Sequence, residues 1–448
     1  MKIDVKLLII LSLLFLFQTC SDDGPDPPPI DDTQKTLPAQ WADVTLKTIQ
    51  FTFPNSPTYT SRNLGYIGLT MYESVVYGSA THKSVASQLN GFTSLPQPDL
   101  TKEYNWALSL NAGQSYILKS LYPHAQPDIV AAIDALELDT YNAAMDTTSM
   151  EVADRSIQFG QAVAEAIYEW SKTDGGHEGY LHPFDPDYKV PIGEAYWIPP
   201  TFGQSVSRLP LHPYWGDNRT FISDNAALPV PAIVPFSTDP SSDNYKLFNE
   251  VYMKRKSLTD EEMRIAAWWA DDPTQTASPP GHSYNLATIA VTSDKADIFT
   301  SAEAYAKVGM AVADAFICCW KVKYIYHSTR PFPFIKAHID KNYEQFWPEP
   351  PFPAFSSGHA TQSAAAAVAL TSIFGETFPL VDNTYENRVP DFNNIPYPPR
   401  KYKNIQATAT ECAYSRFLGG IHTRQDNETG SQQGDTIGKN VTSLNWKK

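Results

Sequence analysis

Three short clusters in the last third of the chain hold the residues best suited to chemistry. They read KYIYHSTRP (Lys323 to Pro331), FPAFSSGHAT (Phe352 to Thr361) and YSRFLGGIHTRQD (Tyr414 to Asp426). Among them stand Lys323, Arg330 and Arg416, a turn at Ser357-Gly358, and the pair His359 and His422. Three cations, hydroxyl and backbone donors and two imidazoles are what a tetrahedral oxyanion needs for binding and for proton transfer.

The spacing within each cluster predicts how a helix end delivers it. Lys323 and Arg330 stand seven apart, nearly two helical turns, so one helix would face both the same way. Pro331 disfavours helical geometry at Arg330, which predicts a helix end there with Arg330 presented at the terminus. A helix end often carries Lys and Arg for its dipole alone, so this pair says little by itself. Ser357-Gly358-His359 follows the Pro-rich lead PEPPFPAF and precedes the Ala-rich run SAAAAVALTSIF. A Ser/Gly turn into a helix start makes an anion site, with the Ser357 hydroxyl and the Gly358 N–H as donors and His359 as acid or base. Either serine also suits a plain N-cap.

Arg416 and His422 are six apart and would diverge by roughly 120° on one helix. Gly419-Gly420 breaks that helix, so Arg416 closes one element and His422 opens the next, aimed at a common point. Asp426, four residues after His422, is placed to accept its Nδ1–H. That fixes the tautomer and leaves Nε2 free for an electrophilic centre.

These bases stand on an acidic background. The chain has 448 residues, 49 acids against 34 bases and a formal charge of −15, which disfavours a nucleic-acid surface. The start, MKIDVKLLIILSLLFLFQTC, has the charge and short apolar run of an export signal and is too short to span a bilayer comfortably. Residues 1–19 are expected to be a signal peptide. Cys20 resembles a lipoprotein junction, although Gln18-Thr19 departs from the usual small residues. Residues 20–37, acidic and Pro-rich, are expected to be a disordered tether. An exported, lipid-anchored cell-envelope or surface protein of a bacterium follows, touching membrane only through Cys20. Cys318, Cys319 and Cys412 fall in apolar helical surroundings and read as buried thiols.

Helical periodicity organises the rest. Arg62 to Ala80, Lys102 to Leu121, Pro127 to Ala144 and Met150 to Trp170 are the clearest early blocks. Composition then shifts to Gly, Pro and aromatics up to about Ser242. This stretch predicts a long irregular excursion carrying a hairpin, in which His177, His182 and His212 read as loop or packing residues. Helical pattern returns at Asp243, with Ser301 to Tyr326 the longest apolar helix, Gly358 to Phe374, Lys403 to Leu418 and about His422 to Leu444. The expected fold is all-α: two packed helical bundles, 38–242 and 243–448, with the active site in the C-terminal one.

Together, K-x6-R-P, P-S-G-H and S-R-x5-H-x3-D resemble the vanadium haloperoxidase and type 2 phosphatidic-acid phosphatase superfamily. Ser356 stands in place of the usual Pro, and the likeness runs from Lys323 to Asp426. It implies a vanadate cofactor bonded by His422 through Nε2. Lys323, Arg330 and Arg416 would neutralise its oxygens, Ser357 and Gly358 would donate to them, and His359 would act on the apical hydroxide. Hydrogen peroxide and halide would be the substrates, with Lys323 polarising the bound peroxide. Vanadium would serve as a Lewis acid without a redox cycle.

The superfamily's other chemistry, phosphomonoester hydrolysis through a phosphohistidine at His422, uses the same parts. Three features resemble haloperoxidases instead: the length, Trp320 three residues before Lys323, and PPFPAF, which sets Phe352 five before Ser357. Phe352 resembles the Phe of chloroperoxidases and bacterial iodoperoxidases, where algal bromoperoxidases carry His; the lipoprotein-like start resembles the iodoperoxidase group, so iodide is the expected best halide. The resemblance also implies an acid behind Arg416; WWADDP offers Asp271 and Asp272 without choosing between them. His282 and His327 read as structural before pocket-edge groups. A surface-anchored oxyanion-binding protein is the reading from another class, and the two histidines argue against it.

Overall fold

Most of the helices start at caps that the sequence writes. The computed structural model describes residues 36–448 except Thr201, Phe202, Ser205, Val206, Pro273, Thr274, Asp391 and Asn393. The signal segment, Cys20 and the tether up to residue 35 lie outside the described residues. Fourteen α-helices are found among the described residues: α1 (Leu37–Phe51), α2 (Pro57–Glu73), α3 (Trp106–Leu121), α4 (Pro127–Met145), α5 (Met150–Ser171), α6 (Ser223–Ala226), α7 (Asp243–Lys256), α8 (Asp260–Trp268), α9 (Ser278–Asp294), α10 (Ile298–Tyr326), α11 (Pro331–His338), α12 (Gly358–Phe374), α13 (Ile405–Leu418) and α14 (Arg424–Thr442). Side chains of Ser56, Asn105, Ser149, Ser242, Asp297 and Asn404 accept first-turn amides, and Thr259 and Thr423 build full capping boxes. The fold is all-α, with one small antiparallel pair, β1 (Leu380–Asp382) and β2 (Arg400–Tyr402), in which Leu380 faces Tyr402.

Helix α10 is the axis. Its 29 residues span roughly 44 Å, and nearly every one from Ser301 to Lys323 is buried. Helix α2 lies against it at glycines: a Cβ at Gly68 would come within 2.4 Å of the Tyr305 carbonyl, and one at Gly309 within 2.3 Å of the Leu64 carbonyl. One apolar core runs through both halves of the chain, from Trp41 to Trp446, and a smaller cluster of Phe248, Val251, Phe334, Ile335 and Tyr343 lies under α7 and α11. Among the described residues no helix is long and apolar enough to cross a membrane.

Helices α12 and α14 meet just as closely, which matters because they carry His359 and Asp426. A Cβ at Gly434 would sit 2.1 Å from the Thr361 carbonyl. Gly434→Ala is therefore expected to force the two backbones apart and destabilise the fold by about 1–3 kcal/mol. Thermal unfolding measures this; an unchanged Tm would contradict the contact.

Three expectations are corrected. The long helix ends at Tyr326, as its apolar pattern expects, with His327 left-handed (φ 50°), so Arg330 does not stand at its terminus. Arg330 is instead the N-cap of α11, because Pro331 fits the first turn of a helix, where its missing N–H costs nothing. The excursion carries no hairpin among its described residues, only isolated bridges such as Phe184 with Leu211 and Tyr196 with Ser328. Its prolines remove the donors a ladder needs. What ties it down is Asp314 of α10, whose buried carboxylate accepts from Phe221 N (2.7 Å), Ile222 N (3.1 Å) and Asn225 Nδ2 (2.8 Å). Finally, α14 begins at Arg424, so His422 lies in the link before it rather than in the helix. His212 is a packing residue, buried and stacked on Trp215 with centroids 4.8 Å apart.

Candidate active site

The three clusters converge on one cavity of about 490 Å³, whose inner wall holds Trp320, Phe352, Gly358, His359, Arg416 and His422. Lys323, Arg330 and Ser357 stand just behind that wall, fully buried.

Lys323 and Arg330 do more than supply charge. Lys323 Nζ donates to the carbonyls of Pro353 (2.9 Å), Ala354 (2.7 Å) and Ser356 (2.6 Å). Arg330 donates to the carbonyls of Phe352 (3.0 Å), Pro353 (3.3 Å) and Ile421 (2.9 Å). The cations thus staple the 352–356 segment to α10 and to the α13–α14 link. The Phe352 ring lies 5.2 Å from Lys323 Nζ, 5.3 Å from the Arg330 guanidinium carbon and 4.8 Å from the Trp320 ring. Glu349, buried and with its carboxyl pushed up to about 7 by burial, adds a nearby acid that pulls on Arg330.

Burial pushes the Lys323 amine down to about 7, although its three carbonyl acceptors favour the ammonium form. The folded value lies below the ordinary 10.5, so the unfolded chain binds more protons between these values and stability rises with pH across that window. An anion seated beside Lys323 reverses the penalty and draws a proton in. Binding of sulfate, which does not titrate here, is expected to take up protons where the anion-free amine is partly deprotonated. Calorimetry in buffers of different ionisation enthalpy reads this directly, and Lys323→Met is expected to abolish it. No uptake by the native chain would contradict the assignment.

Ser357 caps α12, its Oγ accepting from Ala360 N at 3.4 Å, and its own amide is spent on the Asp426 carbonyl (3.0 Å). Gly358 opens the helix against the cavity. A Cβ there would meet only the Trp320 ring, at 3.5 Å, so the backbone is approachable. His359 is oriented by the Ala270 carbonyl, and its buried Nε2 has no protein partner. Burial, then the Arg416 charge, holds its pKa well below the usual value. Arg416 donates from Nη1 to the Trp269 carbonyl at 2.6 Å, while its buried Nε has no partner.

His422 Nδ1 lies 3.2 Å from Asp426 Oδ2, which also accepts the Thr423 amide at 2.8 Å. Burial, then the charges of Arg330, Lys323 and Arg416, keeps the His422 ring neutral. A neutral ring with Nδ1 against a carboxylate presents Nε2 as a lone-pair donor. Burial raises Asp426 to about 6. Of the two acids in WWADDP, Asp271 is paired with His282, and the field of Asp272 on Arg416 is the larger. His327 lies apart from the cavity wall, bonded to the Tyr188 hydroxyl.

The orphaned Arg416 Nε donor, the unpartnered Nε2 of His359 and the buried side chains of Lys323, Arg330 and Arg416 fit a tetrahedral oxyanion, to which they offer positive charge, a hydrogen-bond donor and a proton-accepting nitrogen. The sequence offered no signal for Glu349 or for the bridge between Asp271, His282 and Asp382. The bridge closes only through Asp382, 100 residues after His282 in the chain.

A family model described as VCPO second helical-bundle domain matches residues 303–447. A bacterial vanadium-dependent iodoperoxidase of known structure is 30% identical, with a TM-score of 0.79, over 92% of this chain and 97% of that one. A bacterial vanadium-dependent chloroperoxidase shares the fold at 14% identity in both its apo form (TM-score 0.67, 87% of this chain and 94% of that one) and its holo form (0.68, 94% and 96%). No curated protein sequence matches the chain. The chain belongs to the vanadium-dependent haloperoxidase family.

Proposed function

We propose that this protein is a vanadate-dependent haloperoxidase that oxidises halide, iodide best, with hydrogen peroxide to hypohalous acid. The observation that carries the reading is the pairing of a neutral, Asp426-held His422 with an orphaned Arg416 Nε and His359 Nε2 on one cavity wall. Vanadate, when bound, supplies a Lewis-acidic centre that activates peroxide toward a halide. His422 offers it one nitrogen, and Asp426 fixes the ring that does so. Arg416, Arg330 and Lys323 offset the oxyanion's charge in a site of low dielectric. His359, neutral and with Nε2 free, takes and returns a proton at the cavity face. Trp320 and Phe352 line the inner wall and give a soft anion an apolar seat. Iodide preference is supported by the iodoperoxidase relative.

The test is triiodide formation by vanadate-free protein given peroxide and iodide, with and without orthovanadate. Vanadate-dependent turnover is expected, fastest with iodide. Its absence beside strong p-nitrophenyl phosphate hydrolysis would replace this reading with the phosphatase one. We also propose export and lipid attachment at Cys20, supported by the N-terminal sequence; globomycin-insensitive, unlipidated product would reject it.

A further inference from the structure

His282 is a buried histidine to which the chemistry above gives no task. It sits in the second turn of α9 with Nδ1 2.9 Å from Asp271 Oδ1 and Nε2 2.9 Å from Asp382 Oδ2. Both ring nitrogens face carboxylates, and a neutral imidazole has only one N–H to give. Burial, the largest influence, favours the neutral ring. The pull of Asp271 and then Asp382 outweighs it and holds the pKa at about 10.

The bridge grips one short turn at several points. The His282 ring stacks on Trp269, with centroids 4.4 Å apart and planes 17° from parallel. Trp268 Nε1 donates to Asp382 Oδ2 at 2.9 Å, and the Tyr385 hydroxyl donates to Asp271 Oδ1. Asp271 itself is left-handed (φ 51°), a conformation that persists only where surroundings over-determine it. That same turn aims the site: Trp269 O receives Arg416, the Ala270 carbonyl faces His359, and the Asp272 charge acts on Arg416.

We propose that His282, bridging Asp271 and Asp382, is a positioning residue that fixes the 268–272 turn and thereby the aim of Arg416 and His359. The inference rests on the cavity being an oxyanion site, whichever anion it serves. Inorganic phosphate is therefore the probe, titrated calorimetrically into the full chain.

His282→Gln is expected to weaken phosphate binding about 10- to 100-fold, as loss of outer-shell support does elsewhere. Tyr305→Phe, which deletes the buried 2.9 Å bond to Thr288 between α10 and α9, neither residue lining the cavity, is the control: it lowers Tm and leaves affinity unchanged. If His282→Gln does not fold, Asp382→Asn, which keeps the volume and weakens one side of the bridge, is expected to lose affinity in the same direction. Loss of phosphate affinity upholds the inference whether or not the native protein turns over iodide. Affinity within about threefold of native in a folded bridge variant overturns it.

Discussion

His422→Ala is expected to abolish vanadate-dependent iodide oxidation, a loss of at least about a thousandfold or roughly 4 kcal/mol of transition-state stabilisation. No other residue on the wall supplies a neutral imidazole whose far nitrogen is braced by a carboxylate. His359 cannot substitute, because it stands on α12 and is oriented by Ala270. The fold should survive. Asp426 keeps its bond to the Thr423 amide, so the capping box that starts α14 remains. Triiodide assays beside thermal unfolding separate the two effects. A variant that retains a tenth of native turnover would mean that the oxyanion centre lies elsewhere.

The second large effect is expected at Arg416. Arg416→Ala should weaken orthovanadate binding by about 2–5 kcal/mol, the cost of removing one partner of a desolvated charge pair, or some thirtyfold to several thousandfold. Lysine should rescue little, since a point charge on a flexible stem does not reproduce the fork. Stability should move far less than affinity. In the anion-free protein Arg416 is buried, pushed below its ordinary pKa by that burial, and hydrogen-bonded only to the Trp269 carbonyl among the described residues. Removing it forfeits one hydrogen bond but also a desolvated charge. Calorimetric titration reads the affinity, and binding within about threefold of native would remove Arg416 from the site.

Much of the site could be read before folding because its decisive features are local. Gly419-Gly420 separates Arg416 from His422, the Ser357-Gly358 turn opens α12 at the expected residue, and Asp426 meets His422 four residues earlier. Each depends on backbone rules acting over a few residues, which a sequence carries in full. Pro331 shows where such rules are ambiguous: the same residue that stops one helix also starts another, and packing of α11 under the Phe248–Phe334 cluster selects the start.

What only the tertiary structure decided is where the buried charges turn. Lys323 and Arg330 spend their donors on carbonyls of 352–354, 356 and 421, and Asp271 leaves Arg416 for His282, which Asp382 completes from more than a hundred residues away. Residue types announce that a cation or a carboxylate is present. Its partner is set by which groups the helices desolvate together, and a buried polar atom takes whatever acceptor the packing leaves within reach.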